Sequence, residues 1–367
     1  MKVLSGVDGA FLHLETAHTP MHVASLHLFD PPAGGAAHFC VDLRRSLRQR
    51  LRLAPVLTRK LASLPLQLAN PAWVVDDAID WKHHLQHLTL PAPGTQAQLE
   101  HCVGRLHSTL LDRSRPLWRR AVIDGLASGQ LAHYVQVHHA LAERHGAKLD
   151  DIVLALCGGT LRRYLARHGG IPRKALIATM PISLREAGDT EFRTRATLSL
   201  VNLHTNIADP RRRLLSIRDA AGAMKSLARG VRSVIPMDFP TLGVPWLLQA
   251  LAQLYGRSRW AAVMPPLANV VISNVAGPRQ PLYAASARMT DYWPLSIVEH
   301  GLGLNITVMR YAGTMGFGFA TARCAVPDAG ERSAALREAF DELRAAPAAA
   351  PPRPPRARNT RQGGARP

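Results

Sequence analysis

VQVHHALAERHGAKLDDIVLALC, residues 135–157, decides how this chain is read. Its first half alternates as a strand does and ends on adjacent histidines, His138 and His139. Its second half opens a helix: Asp150 and Asp151 precede an apolar face of Ile152, Leu154, Leu156, Leu161 and Leu165, and Gly169-Gly170 end the run. Successive side chains of a strand point to opposite faces, so one ring of the pair serves a given cleft. Histidine titrates near neutrality and can take a proton from a hydroxyl without a large pKa shift. The pair alone is weak evidence, because 17 histidines make such pairs common and His83-His84 in WKHHLQH is another. A helix over 138–146 would bring His139, Glu143 and His145 toward one cation. The HExxH order is missing, and no metal site is assigned.

Upstream, DGAFLHLET predicts a short helix and MHVASLHLF a strand. Residues 41–64 carry leucine and arginine at helical spacing. PAWVVDDAID and HHLQHLTLPAPG read as strands, and 96–112 as an amphipathic helix that stops before SRPLW, because Pro116 removes a backbone donor. AVIDGL and QLAHYVQVHH, joined through ASG, read as a hairpin. Downstream, ALIATMPISL and TLSLVNLHTNI are strands, and RRRLLSIRDAAGAMKSLARGVRSVI is a basic amphipathic helix. The apolar TLGVPWLLQALAQLYG follows. NVVISNV, LGLNITVMRYAG and GFGFATARC are strands, and ERSAALREAFDELRAA is a closing helix. Strands and helices mix in both halves, which predicts an α/β (α+β) fold with two mixed-sheet domains, 1–143 and 144–346. Residues 347–367 are rich in proline and arginine and are read as a disordered tail.

The chain has 367 residues, 47% of them hydrophobic, enough for a sizeable core. Lysine and arginine total 45 against 26 acidic residues, a formal +19 that suits a polyanionic partner, an anionic lipid leaflet or an acidic substrate, or reflects coding bias alone. Specific nucleic-acid binding is not supported, with no zinc-ligand spacing, no recognition helix and only 5% aromatic residues for base stacking. Cys40, Cys102, Cys157 and Cys324 are scattered, which fits a reducing cytosol. No stretch reads as a signal peptide or membrane span, so a cytoplasmic location is expected.

Several segments in fixed order go further. SGVDGAFLHLETAHTPMHVASLHLF at 5–29, LDRSRPLW at 111–118, VQVHHALA at 135–142, MPISLR at 180–185, NVVISNVAGP at 269–278 and LGLNITVMRYAG at 302–313 together resemble the bacterial wax ester synthase/diacylglycerol acyltransferase family. The resemblance implies two domains like chloramphenicol acetyltransferase with a cleft or tunnel between them. It implies acyl transfer from acyl-CoA, as co-substrate with no other cofactor, to diacylglycerol (triacylglycerol synthesis) or a long-chain alcohol (wax ester). His139 would then be the general base and His138 its motif partner, with Asn274 and Asn305 as suppliers or organisers of oxyanion donors. Pro116, Leu117 and Trp118 are read first as structural and second as contacts of a substrate tunnel. In that reading membrane contact is peripheral, at the inner face of the plasma membrane or on lipid inclusions, through the basic helix at 211–232 and the arginine-rich tail, with packing of the helix against the second domain's sheet as the alternative.

The chain departs from the family at the quoted stretch. There the motif HHxxxDG closes on aspartate and glycine, and tens of residues pass before a helix start like the one at Asp150. Here Glu143 and Arg144 occupy those positions, and the intervening segment is missing. Glu143 could pair as the aspartate does, with its carboxylate displaced by a methylene. Two readings stay open: a working acyltransferase with a shortened connection, or an impaired member that at most binds acyl lipid or a membrane surface.

Overall fold

The computed structural model describes residues 2–4, 6–31, 34–62, 70–141, 150–183, 196–230, 254, 267–298, 301–326 and 328–346. Glu143, His145, most of 241–256 and the tail 347–367 lie outside them. In chain order the elements are β1 (Lys2–Val3), α1 (Gly6–Leu14), β2 (His22–Phe29), α2 (Gly35–Arg50), β3 (Arg59–Ala62), β4 (Ala72–Val75), α3 (Trp81–His84), β5 (Leu85–Thr89), α4 (Gln96–Ser108), β6 (Trp118–Asp124) and β7 (Leu131–His138). Then come α5 (Asp150–Arg167), β8 (Ile177–Ser183), β9 (Ala196–Asn202), α6 (Pro210–Gly230), β10 (Val270–Val275), β11 (Tyr283–Ala284), β12 (Ala287–Leu295), β13 (Leu304–Tyr311), β14 (Thr314–Thr321) and a closing helix, α7 (Ala329–Ala345).

The strands form two large mixed sheets and one small one. The first large sheet runs β11-β12-β2-β7-β6-β5 and the second β14-β13-β10-β8-β9, while β1, β4 and β3 make the third. In the first sheet β6 pairs antiparallel with β7 and parallel with β5, and β2 pairs antiparallel with β7 so that His22 faces His138. Alternation assigns the faces. Leu26, Leu28, Ala121, Ile123, Ala132 and Tyr134 pack under Leu99 and Val103 of α4. Phe29, Val122 and Leu131 meet Phe39, Cys40 and Leu43 of α2 on the other face. In the second sheet Ala178, Met180, Val270, Ile272, Ile306 and Val308 pack with Val153, Leu154 and Leu161 of α5 and Ile217 of α6.

That packing corrects several expectations. Ile152, placed above on the buried face of α5, is 50% exposed, and Val153 and Cys157 take core positions instead. The helical spacing over 41–64 gives a helix that ends at Arg50. Short 3₁₀ turns at Leu51–Leu53 and Pro55–Thr58 and then β3 follow, because Pro55 cannot continue the α-helical ladder. Helix α4 ends at Ser108, with the Thr109 N–H on the Leu106 carbonyl, so Pro116 does not terminate it. Helix α6 keeps the basic amphipathic character read from its sequence: its apolar face packs on the core through Ile217 and Ala221, and its Arg213 is buried against Glu342.

The sequence pattern does not mark strands β11 and β12. Pro294 and Asp291 lie within MTDYWPL and lower its strand signal, yet Pro294 pairs with Ser25 and Trp293 with Leu26. Strand β12 thus comes from the second half of the chain and completes the sheet of the first half. It also packs against β14, where Gly316 and Gly318 leave room for the backbone at Tyr292 and Pro294: a β-carbon on Gly318 would lie 2.8 Å from the Pro294 carbonyl carbon and closer still to its oxygen. Tyr311 pins the start of β12 by donating its hydroxyl to the Met289 carbonyl at 2.8 Å. Strand β12 is thus held by β2 of the first sheet and by β13 and β14 of the second.

Candidate functional site

Strand β7 delivers the paired histidines at its end. His138 is its last residue and donates its backbone N–H to the Leu117 carbonyl, while His139 opens a 3₁₀ turn over His139–Leu141 and donates its N–H to the Met21 carbonyl at 2.9 Å. The His139 ring stacks on Phe11 of α1, centroids 3.8 Å apart and planes 24° from parallel, and the residue is only 1% exposed. A base so placed is shielded from bulk water. Among the described residues no group of His, Cys, Asp and Glu is arranged to hold a metal.

His138 is fully buried and has a carboxylate partner that sequence reading missed. Its Nδ1 accepts the Ala140 N–H at 3.2 Å, so the proton of the neutral ring sits on Nε2, which lies 3.4 Å from Glu15 Oε1. At that length the contact is electrostatic rather than a well-formed hydrogen bond. Glu15 also accepts the Met21 N–H at 3.0 Å, and its other oxygen takes Arg113 Nη2 at 2.9 Å and Nε at 3.3 Å. Arg113 in turn donates to the Leu12 carbonyl at 2.6 Å. Burial by itself would raise the Glu15 pKa, but His138, the Met21 N–H and the Arg113 guanidinium outweigh it and hold the carboxyl down to about 2.

Around this centre lie further histidines whose tautomers can be assigned. A carbonyl only accepts, so His107 donates Nε2–H to the Ser296 carbonyl at 3.1 Å and takes the Tyr134 hydroxyl proton on Nδ1 at 3.0 Å. His22 donates Nε2–H to the His107 carbonyl. Burial, with the neighbouring His107, pushes the His22 pKa down to about 3, and burial lowers that of His107 also. Both stay neutral at pH 7 and serve as polar links that tie β2, α4 and the segment after β12 together. Arg119 adds a brace, with Nη2 on the Gln136 side-chain oxygen and the Leu106 carbonyl, both at 2.8 Å.

The remaining sequence candidates have partners of their own. Leu117 and Trp118 are buried. The Trp118 indole donates to the Leu57 carbonyl at 2.7 Å and stacks on His84, centroids 4.2 Å apart, and Pro116 is buried beside them. His84 is thereby a packing partner of Trp118, its Nδ1 donating to the Trp118 carbonyl at 2.8 Å. Asn305 uses both ends of its amide, donating to the Ile297 carbonyl at 2.8 Å and accepting the Thr307 hydroxyl at 2.9 Å, so it anchors the segment that follows β12. Asn274 sits on β10 opposite Val308. Glu143 lies outside the described residues. Glu15 and Arg113 could have been suspected from the sequence only as charged residues inside the family-like segments at 5–29 and 111–118.

Comparison with known proteins gives a consistent result. The model of the wax ester synthase/diacylglycerol acyltransferase catalytic domain matches residues 4–148, and the model of the WS/DGAT C-terminal domain matches 194–344. A Mycobacterium tuberculosis protein named "putative diacyglycerol O-acyltransferase" is 29% identical over 93% of this chain and 99% of its own length. O-acyltransferase WSD of Acinetobacter baylyi is 27% identical over 89% of this chain and 93% of its own. The solved wax ester synthase/diacylglycerol acyltransferase of Marinobacter aquaeolei VT8 superposes with a TM-score of 0.71 at 26% identity, covering 94% of this chain and 98% of that one. The starter condensation domain of rhizomide synthetase shares the fold alone, at 12% identity and a TM-score of 0.57. The mycobacterial alignment runs over 447 positions, more than the 367 residues present here, so that relative carries internal sequence with no counterpart in this chain.

Proposed function

This chain belongs to the wax ester synthase/diacylglycerol acyltransferase family, and we infer that it transfers a fatty acyl group from acyl-CoA to the hydroxyl of a diacylglycerol or a long-chain alcohol. The observation that carries the reading is the histidine pair at the end of β7, inside the matched catalytic domain, with the second ring stacked and pinned and the first ring backed by a carboxylate. In this reading His139 takes the hydroxyl proton as the oxygen attacks the thioester carbon. The C–S bond breaks, and the proton passes to the departing thiolate, so no covalent enzyme intermediate is needed. The products are CoA and a triacylglycerol or wax ester. The oxyanion needs hydrogen-bond donors, for which Asn274 and Asn305 are the candidate suppliers or organisers; the Asn305 amide already donates to the Ile297 carbonyl, which suits an organiser.

The test is release of free CoA from palmitoyl-CoA with a diacylglycerol and, separately, with a long-chain alcohol, comparing the protein with His139→Ala. Turnover abolished by the substitution supports the reading. Absence of turnover from folded protein with both acceptors favours the second reading, a member that retains the fold and binds acyl lipid without transferring it. The observation behind that second reading is the internal sequence that the relatives have and this chain lacks.

Peripheral contact with an anionic membrane or lipid inclusion is part of the same proposal. Its support is the formal +19 and the arginines of the tail. Among the described residues no helix is long and apolar enough to cross a membrane. Flotation with anionic vesicles, with and without residues 347–367, tests the contact: equal binding removes the tail from the account.

A further inference from the structure

We propose that Glu15 and Arg113 are the positioning pair of the histidine motif in this chain, taking the place of an acid within the motif loop. The proposal rests on the acyl-transfer reading for its kinetic arm and stands apart from it for its spectroscopic arm.

The geometry makes Glu15 a hub. One oxygen faces His138 Nε2 at 3.4 Å and accepts the Met21 N–H at 3.0 Å, and the Met21 carbonyl is the acceptor for the His139 N–H at 2.9 Å. A single carboxylate oxygen therefore faces the ring of the first histidine in an electrostatic contact and holds the backbone of the second through one residue. The other oxygen is held by the Arg113 fork, whose Nη2 also ties the Leu12 carbonyl. Leu12 follows Phe11, the residue against which the His139 ring stacks. Both walls of the second histidine, its backbone anchor and its stacking partner, hang on the same ion pair.

A structural role for Glu15 alone, closing the turn between α1 and β2, predicts less. It requires the Met21 bond and the arginine pair but not a contact with His138. A buried carboxylate is costly to keep charged, and the side chain here is 1% exposed with a partner that is 40% exposed. Hydrophobic packing would close the same turn. The charge is explained by what it faces: the Nε2–H of a ring whose other nitrogen is already an acceptor. Because the pair is contributed by α1 and the segment before β6, it does not depend on the loop after Leu141, where this chain departs from its family.

The experiment compares Glu15→Gln, Arg113→Lys and Glu143→Gln in the full chain. Glu15→Gln keeps the acceptor for Met21 and removes the charge. Its kcat should fall about tenfold to a hundredfold, as expected for a displaced base, while KM for palmitoyl-CoA changes by less than about twofold. Arg113→Lys keeps the charge and loses the fork, and should show an intermediate loss. The second readout is the ring contact of His139 with Phe11, followed by the His139 ring ¹H shifts and the inter-ring nuclear Overhauser effect in isotope-labelled protein: one stacked form in the parent, and a shifted or lost stack in Glu15→Gln. An unchanged His139 ring environment in Glu15→Gln overturns the proposal, as does a kcat lost in Glu143→Gln and kept in Glu15→Gln. If the parent protein turns over neither acceptor, the acyl-transfer reading fails and the ring comparison still decides the pair. If Glu15→Gln does not fold, the His139 ring environment and kcat of Arg113→Lys, altered at a half-exposed position, decide it.

Discussion

Gly318→Ala tests the joint between the sheets. The added β-carbon would fall 2.8 Å from the carbonyl carbon of Pro294 and nearer to its oxygen, whereas unstrained carbon contacts lie at about 3.5–4.0 Å. Strands β12 and β14 must then separate by about an ångström. β12 cannot follow freely, because Met289 through Leu295 are registered on β2 and Tyr311 holds the Met289 carbonyl. Overpacking against fixed backbone costs about 2–3 kcal/mol, which in equilibrium urea unfolding should appear as a lower midpoint with an unchanged slope. The displacement also pulls Ser296 from His107, so turnover should fall while the protein remains folded. Gly104→Ala is the control: it lies within α4 with nothing within 4 Å of an added β-carbon, and should raise stability by about 0.5–1 kcal/mol. A midpoint in Gly318→Ala equal to that of the parent would refute the account of how the two halves are joined.

Three further outcomes are expected. Phe11→Leu keeps bulk and loses ring stacking on His139, so it should cost about 1 kcal/mol in urea unfolding and lower kcat more than it raises KM for acyl-CoA. Trp118→Phe leaves the Leu57 carbonyl without its donor and should destabilise by about 1–2 kcal/mol, with KM for acyl-CoA unchanged if the residue is structural rather than part of a substrate tunnel. The folded-state pKa of Glu15, about 2 against an ordinary 4.5, contributes stability that is fully present above pH 4.5 and lost as pH falls through 2. On the order of 2–3 kcal/mol should therefore disappear across that window in the parent protein, and the same acid titration of Glu15→Gln should lack that component.

The sequence by itself determined the family, the strand and helix character of most of the chain, and the place of His138 and His139 at the end of a strand. Those properties are local: alternation, helical spacing and glycine stops act within a few residues, and the family's segments keep their order along the chain. The tertiary structure decided what depends on distant partners. β12 was hidden because Pro294 and Asp291 weaken its own pattern, and it exists as a strand because β2 supplies its hydrogen bonds and Gly316 and Gly318 let β14 approach. Ile152 and Val153 were indistinguishable by spacing until the second sheet chose which of them to bury. Glu15 and Arg113 lie 98 positions apart, and neither carries a signal until folding places a guanidinium, a buried carboxylate and the first motif histidine in one line. Electrostatic partnership between groups so far apart in sequence is a property of the folded chain, and for this protein it is where the arrangement of the histidine pair was settled.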